Sequence, residues 1–313
     1  MRKVLIGLVV IVLLCAGAFY AFSEADIPRS VLEVKYGATA SDFLMLPDGA
    51  RAHMLDQGNK SGPVLVLVHG SNASWLTWQP WVKRLGDTYR IISLDLPGHG
   101  LTGAVPNHDY SQEGMVKFVK EVTDKLGVAK FSLAGNSMGG GVAARFAEEY
   151  PDSLSHLILV DAGGMKVDQG DHIPLAFKLA RIPVVNQIML HITPRSLVTS
   201  GLNDAIIQKQ IITDKMADSY WDFARMAGTR QATLERFNLP YDTAVQDNVA
   251  KITTPTLILW GAKDGLIPVA ASHKYNAAIK GSTLVIYPDT GHIPMEEQAD
   301  KSAADVRAFL SKS

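Results

Sequence analysis

The chain has 313 residues with 30 Lys+Arg against 31 Asp+Glu, 47 % hydrophobic and 19 % charged residues. A formal charge of -1 lacks the clustered excess of Lys and Arg that neutralising a row of phosphates requires, which argues against a nucleic-acid partner. Part of the apolar excess sits at one end, where Met1 to Phe22 carries 18 apolar residues and two charges, Arg2 and Lys3.

Val4 to Phe22 runs for 19 residues without a charge. As a helix it measures about 28 Å, close to the thickness of a hydrocarbon core. Arg2 and Lys3 precede it and Glu24 and Asp26 follow, so the positive-inside tendency predicts residues 1–22 as a transmembrane signal-anchor with the remainder on the extracytoplasmic side. The alternative is a cleaved signal peptide with Ala16-Gly17-Ala18 as the small-residue site and a secreted product. The single cysteine, Cys15, falls within this run, so the exported part forms no disulfide and depends on its core. Residues 23–39 read as a tether.

Next come two short runs, Asp42 to Leu46 and Arg51 to Leu55, separated by the turn signal Pro47-Asp48-Gly49. They predict an antiparallel hairpin at a sheet edge. Six apolar runs follow: Val64 to His69, Arg90 to Asp95, Lys130 to Ala134, His156 to Asp161, Pro255 to Trp260 and Ser282 to Tyr287. Each reads as a strand buried on both faces, as in a parallel sheet covered by helices. Helical patterns lie between them, among them Gln112 to Leu126 and Gly140 to Tyr150. From 162 to 249 only helical patterns occur, broken by Pro174, Pro183, Pro194 and Pro240. The expected organisation is an α/β core in two parts, 40–161 and 250–313, with a helical cap over 162–249 inserted between them.

The strongest chemical signal is Gly135-Asn136-Ser137-Met138-Gly139, which follows an apolar strand and opens a helix. A serine in so sharp a strand-to-helix turn needs strained backbone angles and side-chain-free neighbours two residues away on each side. Gly135 and Gly139 meet that need, and the turn lifts the hydroxyl above the sheet edge. An ordinary capping serine is the plainer reading. The first helical N–H groups, Met138 among them, favour developing negative charge.

A nucleophilic serine needs a base, and the base an orienting carboxylate. Among nine histidines, His292 follows the last apolar strand, where a loop can reach the serine; His69 and His99 are its competitors. Trp260-Gly-Ala-Lys-Asp264 puts a carboxylate just past the penultimate strand, and Asp161 is the alternative acid. Asp95 and Asp289 read as partners for loop N–H groups. His69-Gly70-Ser71-Asn72 ends the first parallel strand, making Ser71 N–H the first choice for a second oxyanion donor and Asn72 the second. Trp75, Trp78 and Trp81, spaced by three, read as a packing stripe.

The His-Gly loop at His69, the Asp95-Leu-Pro-Gly-His-Gly100 loop, the turn at Ser137, the acid at Asp264 and the base at His292 together resemble the α/β-hydrolase family over nearly the whole exported chain. The resemblance implies a serine hydrolase most similar to lipases and monoacylglycerol lipase-like esterases. Ser137 would be nucleophile, His292 base and Asp264 its orienting acid, with Ser71 and Met138 forming the oxyanion hole. Gly-Asn-Ser-Met-Gly-Gly also resembles carbon-carbon hydrolases of aromatic ring-cleavage pathways, though those typically have Trp where Ile293 stands. A cofactor-free perhydrolase and a non-catalytic binding protein of the same fold are the remaining alternatives. The low charge of Ile173 to Ile192, with Tyr220, Trp221 and Phe223, is consistent with cap packing or with an apolar acyl groove. The expected partners are a small apolar ester or lipid and, through residues 1–22, a membrane. No cofactor or metal is expected, since no His-Glu-x-x-His run or P-loop is present.

Overall fold

The computed structural model describes residues 6–7, 13–14, 17, 19–38, 41–167, 182–240 and 242–312. Most of the expected membrane segment lies outside them, as do His172 and Pro174 of the insertion. Among the described residues no helix is long and apolar enough to cross a membrane.

In place of a bare tether, the chain enters the core through a helix, α1 (Arg29–Tyr36), whose Leu32 is buried against Leu101, Phe223 and Met226. Lys35 and the Tyr36 hydroxyl both reach Asp222 Oδ2, at 2.6 and 2.7 Å. The edge hairpin follows as β1 (Ser41–Met45) and β2 (Arg51–Gly58), then β3 (Val64–Val68), α2 (Gln79–Leu85), β4 (Arg90–Leu94), α3 (Gln112–Lys125), β5 (Phe131–Asn136), α4 (Met138–Glu149) and β6 (Leu154–Val160). The described residues between β6 and the next strand form α5 (Val185–Met189), α6 (Arg195–Ala205), α7 (Asp214–Ala224), α8 (Thr229–Phe237) and α9 (Ala244–Asn248). The sheet resumes with β7 (Thr256–Gly261), α10 (Ala270–Ala278), β8 (Thr283–Tyr287), α11 (Pro294–Glu297) and α12 (Ala299–Leu310).

The eight strands form one sheet in the order β1-β2-β4-β3-β5-β6-β7-β8. β1 and β2 pair antiparallel, β2 meets β4 antiparallel, and all later pairings are parallel. Alternation along each strand divides the core in two. Val66, Val68, Leu133, Leu157 and Leu159 pack under α3 and α4, whereas Leu65, Leu67, Ala134, Ile158 and Val160 pack against α2 and α12. This two-sided burial explains why the strands read as continuous apolar runs. β8 is the exception: at the sheet edge only Tyr287 of its five residues is buried, so it is not covered on both faces. Trp78 and Trp81 are fully buried with ring centroids 5.1 Å apart, which makes them core.

The parallel strands all end on one edge of the sheet. The loop at His69 follows β3, Ser137 follows β5, Asp161 follows β6, Asp264 lies beyond β7 and His292 beyond β8. Such an edge, where five strand ends converge, is where open α/β sheets place their ligands.

Candidate active site

Ser137 sits between β5 and α4 with φ 55° and ψ -120°, a strained conformation for a residue with a side chain. Its neighbours explain how the strain is held. A Cβ on Gly135 would lie 2.1 Å from Gly139 O, and one on Gly139 would lie 2.4 Å from Val68 O and 2.5 Å from His69 O. Only glycine fits at either place. Ser137 O accepts N–H bonds from Gly140 at 2.9 Å and Gly163 at 2.7 Å, and its own N–H donates to Val160 O at 3.0 Å. The turn is thus pinned on both sides, with Ser137 left half-buried.

His292 is the base candidate the structure brings into play. Its Nδ1 lies 2.7 Å from Asp264 Oδ2, with the two side chains 5 % and 0 % exposed. Asp264 Oδ1 is taken by the N–H groups of Leu266 at 2.7 Å and Ile267 at 3.1 Å, so the carboxylate is fixed at both oxygens. The His292 backbone is fixed too: its N–H donates to Ala205 O at 2.7 Å and its carbonyl accepts from Asn136 Nδ2 at 3.0 Å. Asn136, which sequence reasoning gave no role, therefore ties the base loop to the residue before Ser137. Glu297 adds a second tie, accepting from Gly291 N–H in the base loop and from Ile207 and Gln208 in the insertion.

The competing histidines are otherwise engaged. His69 uses Nδ1 on Gly70 O at 2.7 Å and Nε2 on Leu96 N–H at 3.1 Å. His99 places Nδ1 on Pro97 O, and burial holds its pKa well below the ordinary range. Neither donates to a carboxylate at hydrogen-bond distance as His292 does, His69 Nε2 lying 3.8 Å from Asp95 Oδ1. Asp95 serves loop N–H groups, taking Trp75 N–H and Leu101 N–H at 2.8 Å each, and it also holds His53 Nδ1 at 2.7 Å. Asp289 does not act in this way: it is exposed and meets Lys263 at 2.8 Å.

Asp161, the alternative acid, lies within 4.8 Å of the facing atoms of Asp264 and His292. Its Oδ1 accepts from Gly261 N–H at 2.9 Å, but its buried Oδ2 has no hydrogen-bond partner among the described residues. Burial, and then the Asp264 charge, hold the Asp161 carboxyl well above the usual carboxylate range. The uncharged form of Asp161 is thereby favoured, as expected when two carboxyls crowd a dry site. These same three residues could offer ligand atoms to a metal, but the Asp264 to His292 hydrogen bond and the raised pKa of Asp161 suit proton handling better.

Gly70 carries the first parallel strand to Ser137: a Cβ there would lie 2.9 Å from Ser137 Cβ. Immediately after it, Ser71 begins a turn closed by Ala73 N–H on Gly70 O, and Asn72 has φ 59°. The N–H groups of Ser71, Asn72 and Met138 have no acceptor among the described residues. Donors left open on both sides of a nucleophile are the elements of an oxyanion hole. Sequence reasoning missed Arg236, at the end of α8, which reaches this loop from the insertion. Nothing in its local sequence context sets it apart from other helix-terminal arginines.

Residues 63–299 match the model of the alpha/beta hydrolase fold family. An uncharacterized protein of Mycobacterium tuberculosis is 29 % identical over 267 residues, covering 80 % of this chain and 76 % of its own. A 2-hydroxy-6-oxononadienedioate/2-hydroxy-6-oxononatrienedioate hydrolase of Klebsiella pneumoniae is 28 % identical over 288 residues, covering 88 % and 97 %. Among solved structures, a membrane phospholipase A described as a bacterial virulence factor superposes with a TM-score of 0.74 at 24 % identity, over 99 % of this chain and 98 % of its own. A putative lipase of Acinetobacter baumannii gives 0.74 at 23 % identity over 92 % and 97 %. With the family model spanning most of its length, the chain belongs to the alpha/beta hydrolase family.

Proposed function

We propose that the protein is a serine hydrolase that cleaves carboxylic esters of apolar acyl groups through an acyl-enzyme. The observation that carries this reading is the 2.7 Å bond from His292 Nδ1 to Asp264, at the sheet edge where Ser137 is held in a strained turn. With Nδ1–H donated to Asp264, Nε2 is the basic nitrogen. It takes the Ser137 proton as Oγ attacks the ester carbonyl, and the oxyanion is held by N–H groups of Met138 and of Ser71 or Asn72. The same proton goes to the departing alkoxide as the C–O bond breaks. Water then gives its proton to His292, attacks the acyl-serine and releases the acid, and Ser137 recovers its proton.

The apolar preference is supported by the insertion, whose Met216 and Tyr220 pack on the core and whose Phe223 packs with Leu32 and Leu101. An N-terminal anchor with the hydrolase on the extracytoplasmic side remains part of the proposal. Residues 19–24 meet the insertion through Glu24 N–H on His191 O and the Phe19 and His191 rings. Nearby Val184 and Ile188 are exposed, as are Val31 and Val34 of α1. Exposed apolar side chains on these two elements suit a lipid surface. Membrane fractionation of the full chain against one starting at Glu24 tests the anchor: the first pellets with membranes and the second does not.

A second reading, carbon-carbon bond hydrolysis, is favoured by the Klebsiella relative and by Asn136-Ser137-Met138-Gly139-Gly140. Against it, Ile293 is a buried packing residue where those enzymes typically present Trp. A panel of acyl esters beside a vinylogous diketone decides: turnover of esters only is expected, and turnover of the diketone only would overturn the ester reading.

A further inference from the structure

Among the described residues of the insertion, Arg236 alone has a side chain that bonds to both flanks of Ser137. Its Nη1 donates to Ser71 Oγ at 2.8 Å and approaches Met138 Sδ at 3.4 Å, and its Nη2 donates to Asn72 Oδ1 at 3.1 Å. All three partners are neutral. Elsewhere in the insertion Arg195, Arg225 and Arg230 each hold an aspartate, whereas no carboxylate among the described residues lies within ion-pair distance of Arg236. Its guanidinium carbon also lies 4.6 Å from the centre of the Phe237 ring, another uncharged neighbour. Burial brings its pKa down to about 10, so the charge persists at neutral pH, and its field pushes the pKa of both His69 and His99 downward.

A half-buried cation without a counter-charge costs stability, and removing its side chain would leave only neutral acceptors behind. A guanidinium offers a fork of donors that matches a carboxylate or a phosphate. We propose that Arg236 is an anion subsite, and that the enzyme's own substrate is an ester carrying a carboxylate or phosphate close to its scissile bond. This rests on the serine-ester reading above and narrows it. The anion replaces Ser71 Oγ and Asn72 Oδ1 as guanidinium partners, and binding it draws α8 and the oxyanion loop onto the same ligand. The reacting carbonyl is then delivered to Ser137 by a guanidinium that touches the side chains of the residues whose N–H groups form the proposed oxyanion hole.

Three butanoyl esters separate the possibilities: those of 3-hydroxybenzamide, 3-hydroxybenzoate and 3-hydroxyphenyl phosphate. Their butanoyl aryl ester is the same, and the substituent changes from a neutral amide to a near-isosteric carboxylate and to a larger phosphate. Arg236→Met is expected to lower kcat/KM on an anionic ester at least about tenfold more than on the amide, with Arg236→Lys in between. A selective loss on the benzoate assigns a carboxylate ligand, and one on the phosphate a lipid-like headgroup. Equal losses on all three, or no loss, would overturn the subsite and leave Arg236 a clamp between helix and loop. Calorimetric binding of benzoate and phenyl phosphate gives a readout free of turnover. Arg236-dependent binding without hydrolysis of any ester would defeat the ester reading and keep the subsite, while binding that is absent or unaffected by Arg236→Met would defeat the subsite.

Discussion

Asp161 and Asp264, at the ends of neighbouring strands, form a close buried pair of carboxyls in which Asp264 holds His292 and Asp161 is driven toward its neutral form. Asp264 has N–H donors on one oxygen and His292 on the other, so its charge is compensated. Asp161 has a single N–H partner and an orphaned oxygen, an arrangement that only a proton makes tolerable.

The pair yields opposite expectations for two isosteric changes. Asp264→Asn removes the charge that orients and stabilises protonated His292, and kcat should fall by about two to four orders of magnitude. Asp161→Asn removes a carboxyl that makes no hydrogen bond to His292 and whose uncharged form is already favoured, and kcat should stay within about threefold of wild type. Steady-state kinetics on one ester checks both. A larger loss for Asp161→Asn than for Asp264→Asn would make Asp161 the acid.

Glu296 gives a stability prediction. Its carboxyl accepts from Thr77 Oγ1 at 2.5 Å, and burial raises its pKa to about 7 from an ordinary 4.5. The folded state therefore binds the proton more tightly than the unfolded chain between those values. Stability referable to Glu296 is full below about pH 4.5 and is lost as pH rises through about 7. Glu296→Gln should unfold at higher urea than wild type at pH 8, by about 1–3 kcal/mol, with the gap closing toward pH 5. An equal gap at both pH values would contradict the assignment.

The Gly139 contact is a test of the strained turn. A methyl there would meet two backbone carbonyls, Val68 O and His69 O, neither of which can move without displacing β3. Gly139→Ala should cost about 1–3 kcal/mol and lower activity together with stability. Gly127→Ala provides the contrast, since nothing lies within 4 Å of its added methyl, although its φ of 67° still disfavours a side chain. Unfolding midpoints for the two variants show whether collision with β3 outweighs backbone preference.

Legibility of the molecule from its sequence followed the range of the interactions. Burial on both faces leaves an apolar run, so β3 to β7 could be placed within a residue or two, and the turn at Ser137 announced itself because two glycines are sterically required. Residues 23–39 read as a tether in sequence because the short α1 is held by a single buried leucine and by ion pairs to residues far away in the chain. β8 carries the same apolar pattern as its neighbours but lies at the edge, and position in a sheet has no local signature. Asp161 and Arg236 owe their character to partners more than 90 residues away, through contacts that no short motif encodes.

Ser137 is the residue on which the whole account turns. The most direct measurement compares wild type with Ser137→Ala for ester hydrolysis and for covalent labelling by a fluorophosphonate followed by mass spectrometry. The account predicts a single adduct on the peptide containing Ser137 in the wild type, and in the variant neither adduct nor turnover above the uncatalysed rate. Undiminished hydrolysis by a folded Ser137→Ala protein would contradict it.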